Sequence, residues 1–148
     1  MISKALFSSA SVEWATPQDL FYELDAEFQF TLDPCATAKN AKCAKFYTKA
    51  TDGLSQDWSG ERVFCNPPYG RGVIGPWVQK CHDAAALVVA LLPARTDTRW
   101  FHEHVAYLLR GNSFFGEVRF VRGRLKFGGH KNSAPFPSMV VVWNRRII

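Results

Sequence analysis

The chain has 148 residues, 47% of them hydrophobic and 21% charged, which suits one domain with a single core and excludes a disordered or fibrous class. Its formal charge of +5 and pI of about 9.2 are compatible with a polyanionic partner without requiring one. Four cysteines (Cys35, Cys43, Cys65 and Cys81) show no Cys-x-x-Cys pair and no zinc spacing, so a reducing compartment and no structural metal are expected.

In chain order, Trp14 to Phe28 reads as a helix: Thr16 can cap it, Pro17 suits its first position, and Leu20, Phe21, Leu24 and Phe28 recur at helical spacing. Phe28 to Leu32 reads as a strand that ends at Asp33-Pro34. A short helix is expected over Ala36 to Ala44 and a brief strand over Lys45 to Thr48. Two turn-rich stretches follow, Thr51 to Leu54 and Asp57 to Gly60. Arg62 to Cys65 is a strand, Gly70 to Gly75 a loop, and Pro76 to Ala86 a helix with Trp77 and Cys81 on one side. Leu87 to Leu92 is a buried strand. Asp97 to Leu109 is an amphipathic helix, capped by Thr96 or Asp97, with Trp100, Phe101, Val105 and Leu108 inward. Phe114 to Val121, Leu125 to Phe127 and Met139 to Trp143 read as strands with antiparallel pairing near the end. The expected fold is α/β: a mostly parallel, twisted sheet with an antiparallel C-terminal strand. Such a sheet places Asp33, Asn66 and Arg95 along one edge, where open α/β sheets bind ligands.

Asn66-Pro67-Pro68-Tyr69, directly after a strand, carries the most chemistry. An amine conjugated to a flat ring is a poor nucleophile, so a site that methylates it must orient the nitrogen and polarise its N–H bonds. The Asn66 side-chain oxygen and the Pro67 carbonyl can each accept one N–H. Two consecutive prolines make a stiff turn with outward carbonyls. Tyr69 offers a face for stacking.

Four other features bear on the same edge. Asp33-Pro34-Cys35 can receive ammonium or hydroxyl groups of a small cofactor, and Trp14-Ala15-Thr16-Pro17 starts a helix whose N–H groups suit a carboxylate. Asp52 or Asp57 can accept an amino group; both choices stay open. Arg95 can reach a phosphate or a base. Arg119, Arg122, Arg124, Lys126, His130 and Lys131, interleaved with Phe120 and Phe127, form a basic stretch suited to DNA contact.

On Trp14-x-Thr16-Pro17, Leu32-Asp33-Pro34-Cys35-Ala36, Asp52-Gly53-Leu54 with Trp58, Asn66-Pro67-Pro68-Tyr69-Gly70 and Leu92-Pro93-Ala94-Arg95-Thr96-Asp97-Thr98, the chain resembles the phage-type DNA adenine-N6 methyltransferases, a Dam-like family. The resemblance runs from Trp14 to about Trp143. It implies a Rossmann-like methyltransferase fold, S-adenosylmethionine as donor and adenine in DNA as acceptor. By its pattern, Asn66, Pro67, Pro68 and Tyr69 are catalytic. Trp14, Thr16, Pro17, Asp33, Pro34, Cys35, Asp52, Asp57 and Asn66 hold the donor. By their charge and position, Arg95, Arg122, Arg124 and Lys126 are expected to contact DNA, and no metal is expected.

The chain departs from the pattern in lacking glycines after Asp33, and the stretch from Asp33 to Arg62 is short for two strand–helix units. Residues 1–148 are expected to form one domain without a separate target-recognition domain, with the oligomeric state open. Met1 to Ala10 lacks the apolar core of a leader, and the run Ala84 to Pro93 is too short to span a membrane, so a bacterial or phage-infected cytoplasm is expected. RNA, cytosine N4 or a protein glutamine amide are alternative acceptors, and a non-catalytic DNA-binding protein of the same fold is an alternative class.

Overall fold

Four strands form one mixed sheet, in the order β1 (Arg62–Cys65), β2 (Leu87–Pro93), β4 (Ser138–Asn144) and β3 (Gly116–Phe120). The protein is described from a computed structural model covering residues 14–111 and 114–146; the Met1 to Ala10 stretch lies outside the described residues. β1 and β2 run parallel, with Val63 beside Val88 and Cys65 beside Ala90. β4 is antiparallel to both β2 and β3. All of β2 is buried, which is why Leu-Val-Val-Ala-Leu-Leu reads as one apolar run rather than an alternation.

The sheet continues past β1 by single parallel bridges, Leu32 to Val63 and Asp33 to Phe46. The strand expected over Phe28 to Leu32 is thus reduced to its last step, and that over Lys45 to Thr48 to one bridged residue, Phe46. Parallel pairing brings the ends after Leu32, Cys65 and Pro93 to one edge, as expected for an α/β sheet.

Among the described residues, three helices pack around this frame: α1 (Gln18–Phe28), α2 (Ile74–Asp83) and α3 (Arg99–His104). α1 buries Phe21 and Leu24, and α2 buries Ile74, Trp77, Val78 and Cys81. α2 begins before Pro76, which therefore lies in its first turn and breaks no intrahelical bond. The helix expected over Asp97 to Leu109 divides into α3 and a 3₁₀ segment, Ala106–Arg110, while still burying Trp100, Phe101, Val105 and Leu108. Its cap is Thr98, whose hydroxyl accepts the Phe101 N–H at 3.4 Å, not Thr96 or Asp97.

Two expected elements are absent among the described residues. No helix forms over 36–44: Thr37 and Asn40 cap one another reciprocally and the Ala41 N–H closes one turn on the Thr37 carbonyl, but the Lys42 N–H that would continue it goes to Asp33 Oδ2. Leu125 to Phe127 is not a strand; the connection between β3 and β4 folds back so that Phe127 and Phe136 are buried. No helix among the described residues is long and apolar enough to cross a membrane.

Candidate active site

β1 ends at Cys65 because neither Pro67 nor Pro68 has an N–H to extend the ladder. The chain then presents Asn66 at the sheet edge. Its Nδ2 donates to the Trp14 carbonyl at 2.6 Å and to Thr16 Oγ1 at 2.9 Å, so both amide hydrogens are engaged. A carbonyl can only accept, which fixes which end of the amide faces Trp14. The other end, Oδ1, is buried with no partner among the described residues. An unpaired buried acceptor costs roughly 1–3 kcal/mol, so its persistence at a ligand edge points to a donor that arrives from outside. The carbonyl of the buried Pro67 likewise accepts no hydrogen bond among the described residues.

Tyr69 is not the open platform expected from the motif. It is 1% exposed, and its hydroxyl donates to the Leu91 carbonyl at 2.7 Å. Burial pushes the phenol well above its ordinary pKa. Phe127 and Phe136 pack edge-on to its ring, with centroids at 6.3 and 5.7 Å. Trp14 completes the cover, edge-on to Phe136 and stacked on His130 at 4.3 Å. Phe136 lies between Pro135 and Pro137, so an apolar residue held by two stiff neighbours was an available signal for this contact.

The donor-side residues fall into two groups. Asp33 is buried, and each carboxylate oxygen already accepts a backbone N–H, from Cys35 at 3.3 Å and from Lys42 at 3.0 Å. Burial raises its pKa against the pull of those N–H groups. Instead of presenting an open carboxylate, Asp33 ties down the glycine-free loop after it. Asp57 is likewise engaged, its Oδ1 accepting both the N–H and the hydroxyl of Ser59, which hold its pKa low. The carboxylate of Asp52 is exposed and makes no hydrogen bond among the described residues. Its backbone sits at φ 52°, a left-handed conformation uncommon for an aspartate. Gly53 follows, so close to Pro34 that a Cβ there would lie 2.0 Å from the Pro34 carbonyl oxygen. Asp52 and Pro34 are therefore held side by side.

The start of α1 does not form the expected carboxylate cradle. Pro17 is its N-cap residue, the Leu20 N–H is taken by Asp19 Oδ1 at 3.0 Å, and the Thr16 hydroxyl faces Asn66 instead of the helix. An acid in the first turn opposes a second carboxylate.

A family model described as DNA N-6-adenine-methyltransferase (Dam) matches residues 5–147. The chain belongs to that family. It is 35% identical over 94 residues to a DNA N-6-adenine-methyltransferase of Haemophilus phage HP1, covering 60% of this chain and 53% of the relative. It is 34% identical over 95 residues to one of Escherichia phage T1, covering 61% and 39%. The chain thus matches about half of the length of the first relative and two fifths of the second. A crystal structure from Pyrococcus horikoshii overlays with a TM-score of 0.45 at 16% identity, covering 86% of this chain and 57% of that one.

In this Dam-family chain the expected DNA-contacting cations divide by location. Arg122, Arg124 and Lys126 are exposed on the β3–β4 connection that also delivers Phe127 and Phe136 to the motif. Arg119 leaves the basic stretch: it pairs with Glu27 through two bonds at 2.7 and 2.6 Å and with Glu117 at 2.7 Å. Arg95 turns inward. It donates to the Tyr69 carbonyl at 3.1 Å and stacks on Phe136 at 5.6 Å, while lining a groove of about 760 Å³ with Arg71, Arg99 and Trp100.

Proposed function

We propose that this chain transfers a methyl group from S-adenosylmethionine to the exocyclic N6 amine of adenine in DNA. The observation that carries this reading is the buried Asn66 Oδ1, which has no partner among the described residues although the rest of its amide is fully bonded. Such an atom fits one N–H of an incoming amine, and the Pro67 carbonyl fits the other. With both hydrogens held, the nitrogen lone pair is directed away from the ring plane, and orientation supplies most of the acceleration. S-adenosylmethionine supplies an electrophilic methyl group on a sulfonium. The methylated nitrogen becomes acidic, so no strong base is needed.

The target adenine must leave the duplex stack to reach Asn66. Stacking on Tyr69 further requires the cover of Trp14, Phe127 and Phe136 to part, after which those rings exclude water from the reacting nitrogen. On the donor side, the geometry favours Asp52 over Asp57, with Pro34 and Cys35 on the neighbouring strand end and Trp14 and Pro17 closing the far side. Arg122, Arg124 and Lys126 would meet DNA phosphates, and Arg95 a phosphate entering the groove. The fold would then be a single Rossmann-like methyltransferase domain that takes its target contacts from loops and acts in a bacterial or phage-infected cytoplasm.

The test is incubation of the full chain with labelled donor and adenine-containing duplex DNA, followed by nucleoside analysis, with RNA and peptide acceptors in parallel. N6-methyladenine in the DNA arm is expected, with Asn66→Ala lowering the rate by at least about 100-fold. Label confined to RNA or peptide, or Asn66→Ala at near-normal rate, would overturn the reading.

A further inference from the structure

Asn66 can serve an amine only if its oxygen, and not its NH2 group, faces the acceptor site. The two ends of a primary amide have nearly the same shape, so packing alone does not choose between them; hydrogen-bond partners do. Here both partners come from one short segment far away in sequence. The Trp14 carbonyl and Thr16 Oγ1 lie on the same strap, and Thr16 is 50 residues from Asn66. The strap is itself fixed from its other side: the Gly128 N–H donates to the Ala15 carbonyl at 2.9 Å, and Trp14 stacks on His130. Thr16 is 7% exposed, so water is poorly placed to replace its hydroxyl.

We propose that Thr16 is a positioning residue for methyl transfer: with the Trp14 carbonyl it locks the Asn66 amide so that Oδ1 alone faces the acceptor amine. The proposal rests on the function given above and gives Thr16 a role distinct from holding the donor. Thr16 touches neither reacting atom; it acts through Asn66. Replacing its hydroxyl by a methyl group leaves one Nδ2 hydrogen buried and unpaired, and the amide then relieves that loss by rotating. Serine retains the oxygen and restores the lock.

The experiment compares wild type, Thr16→Val and Thr16→Ser in the full chain by three readouts. The first is methylation of adenine-containing duplex DNA, resolved into kcat and KM. The second is S-adenosylmethionine affinity by calorimetry. The third is NMR of the Asn66 side-chain NH2, assigned by its absence in Asn66→Ala. Thr16→Val is expected to lower kcat by about three- to tenfold, the effect of removing one hydrogen bond from a buried group. KM and donor affinity stay within about twofold, Thr16→Ser recovers the rate, and NH2 exchange with solvent, slow in wild type, accelerates in Thr16→Val. Wild-type kcat in Thr16→Val would overturn the proposal. So would weakened donor binding with unchanged NH2 exchange, which would return Thr16 to the donor site. If wild type methylates no DNA, the functional reading fails, but the NH2 exchange still decides whether Thr16 locks the amide. If Thr16→Val does not fold, fast exchange of the Asn66 NH2 in wild type alone would overturn the lock, and slow exchange that accelerates in Thr16→Ala would support it.

Discussion

Gly53→Ala probes the packing that holds the two donor-side loops together. The added Cβ would lie 2.0 Å from the Pro34 oxygen and 3.2 Å from the Trp77 ring, where ordinary contact begins at 3.4 Å. The nearer obstacle is backbone, so the loops must part by more than about 1 Å. Overpacking of this kind costs roughly 1–3 kcal/mol. Separation also strains the bond from the buried Trp58 indole N–H to the Gly53 carbonyl, now 3.0 Å, and leaving that donor unpaired adds about 1–3 kcal/mol. A loss of about 2–6 kcal/mol is therefore expected, a large part of a typical domain stability of roughly 5–15 kcal/mol. Gly75→Ala is the control. It lies in α2 at ordinary φ with nothing within 4 Å of a Cβ, and helix propensity favours alanine there by about 0.5–1 kcal/mol. Urea unfolding of both variants should move the midpoints in opposite directions. If Gly53→Ala unfolds within about 0.5 kcal/mol of wild type, the loops are not packed as described.

Three further outcomes follow from the site. Tyr69→Phe removes the buried bond to Leu91 and should cost about 1–2 kcal/mol in urea unfolding. Because burial raises the Tyr69 pKa above its unfolded value, wild-type stability should hold below the free-phenol pKa of about 10 and decline as pH rises beyond it, a limb that Tyr69→Phe lacks. Asn66→Asp sets an ionised oxygen against the Trp14 carbonyl; methylation should be weak at neutral pH and rise on acidification as a protonated carboxyl donates to that carbonyl, and a flat pH profile would contradict the stated amide orientation. Replacing Arg122, Arg124 and Lys126 together by alanine should weaken DNA binding and flatten its salt dependence by about one unit of slope for each phosphate no longer neutralised; unchanged slopes in a filter-binding titration would remove these residues from the interface.

What could be read from residues alone was what neighbouring residues decide. The apolar runs of β1 and β2 have no alternative to burial, and a parallel pair of them necessarily sets Asn66 and Pro93 at the same edge. The inward face of α3 and its 3₁₀ extension followed from spacing, although their division did not. The helix over 36–44 stops after one turn because Asp33 Oδ2 takes the Lys42 N–H that would continue it, a capture that crosses nine residues, beyond any local pattern. The burial of Tyr69 was not legible for the same reason: its motif is visible, but the rings that cover it arrive with the β3–β4 connection.

The same non-local construction holds the candidate site together. The loop after Asp33 has no glycines to wrap a ligand, and the acid there is engaged by its own backbone. The rigidity comes instead from the strap at Trp14 to Thr16, which is bonded to Asn66 on one side and to Gly128 and His130 on the other. Gly128 and His130 belong to the connection that carries Arg122, Arg124 and Lys126. A force on those cations is therefore one packed segment away from the amide proposed to face the acceptor nitrogen. On that proposal, parting the cover over Tyr69 and holding Asn66 in place make opposite demands on that segment. The strap meets both only if Phe127 and Phe136 move while the bonds from Asn66 to Trp14 and Thr16 persist.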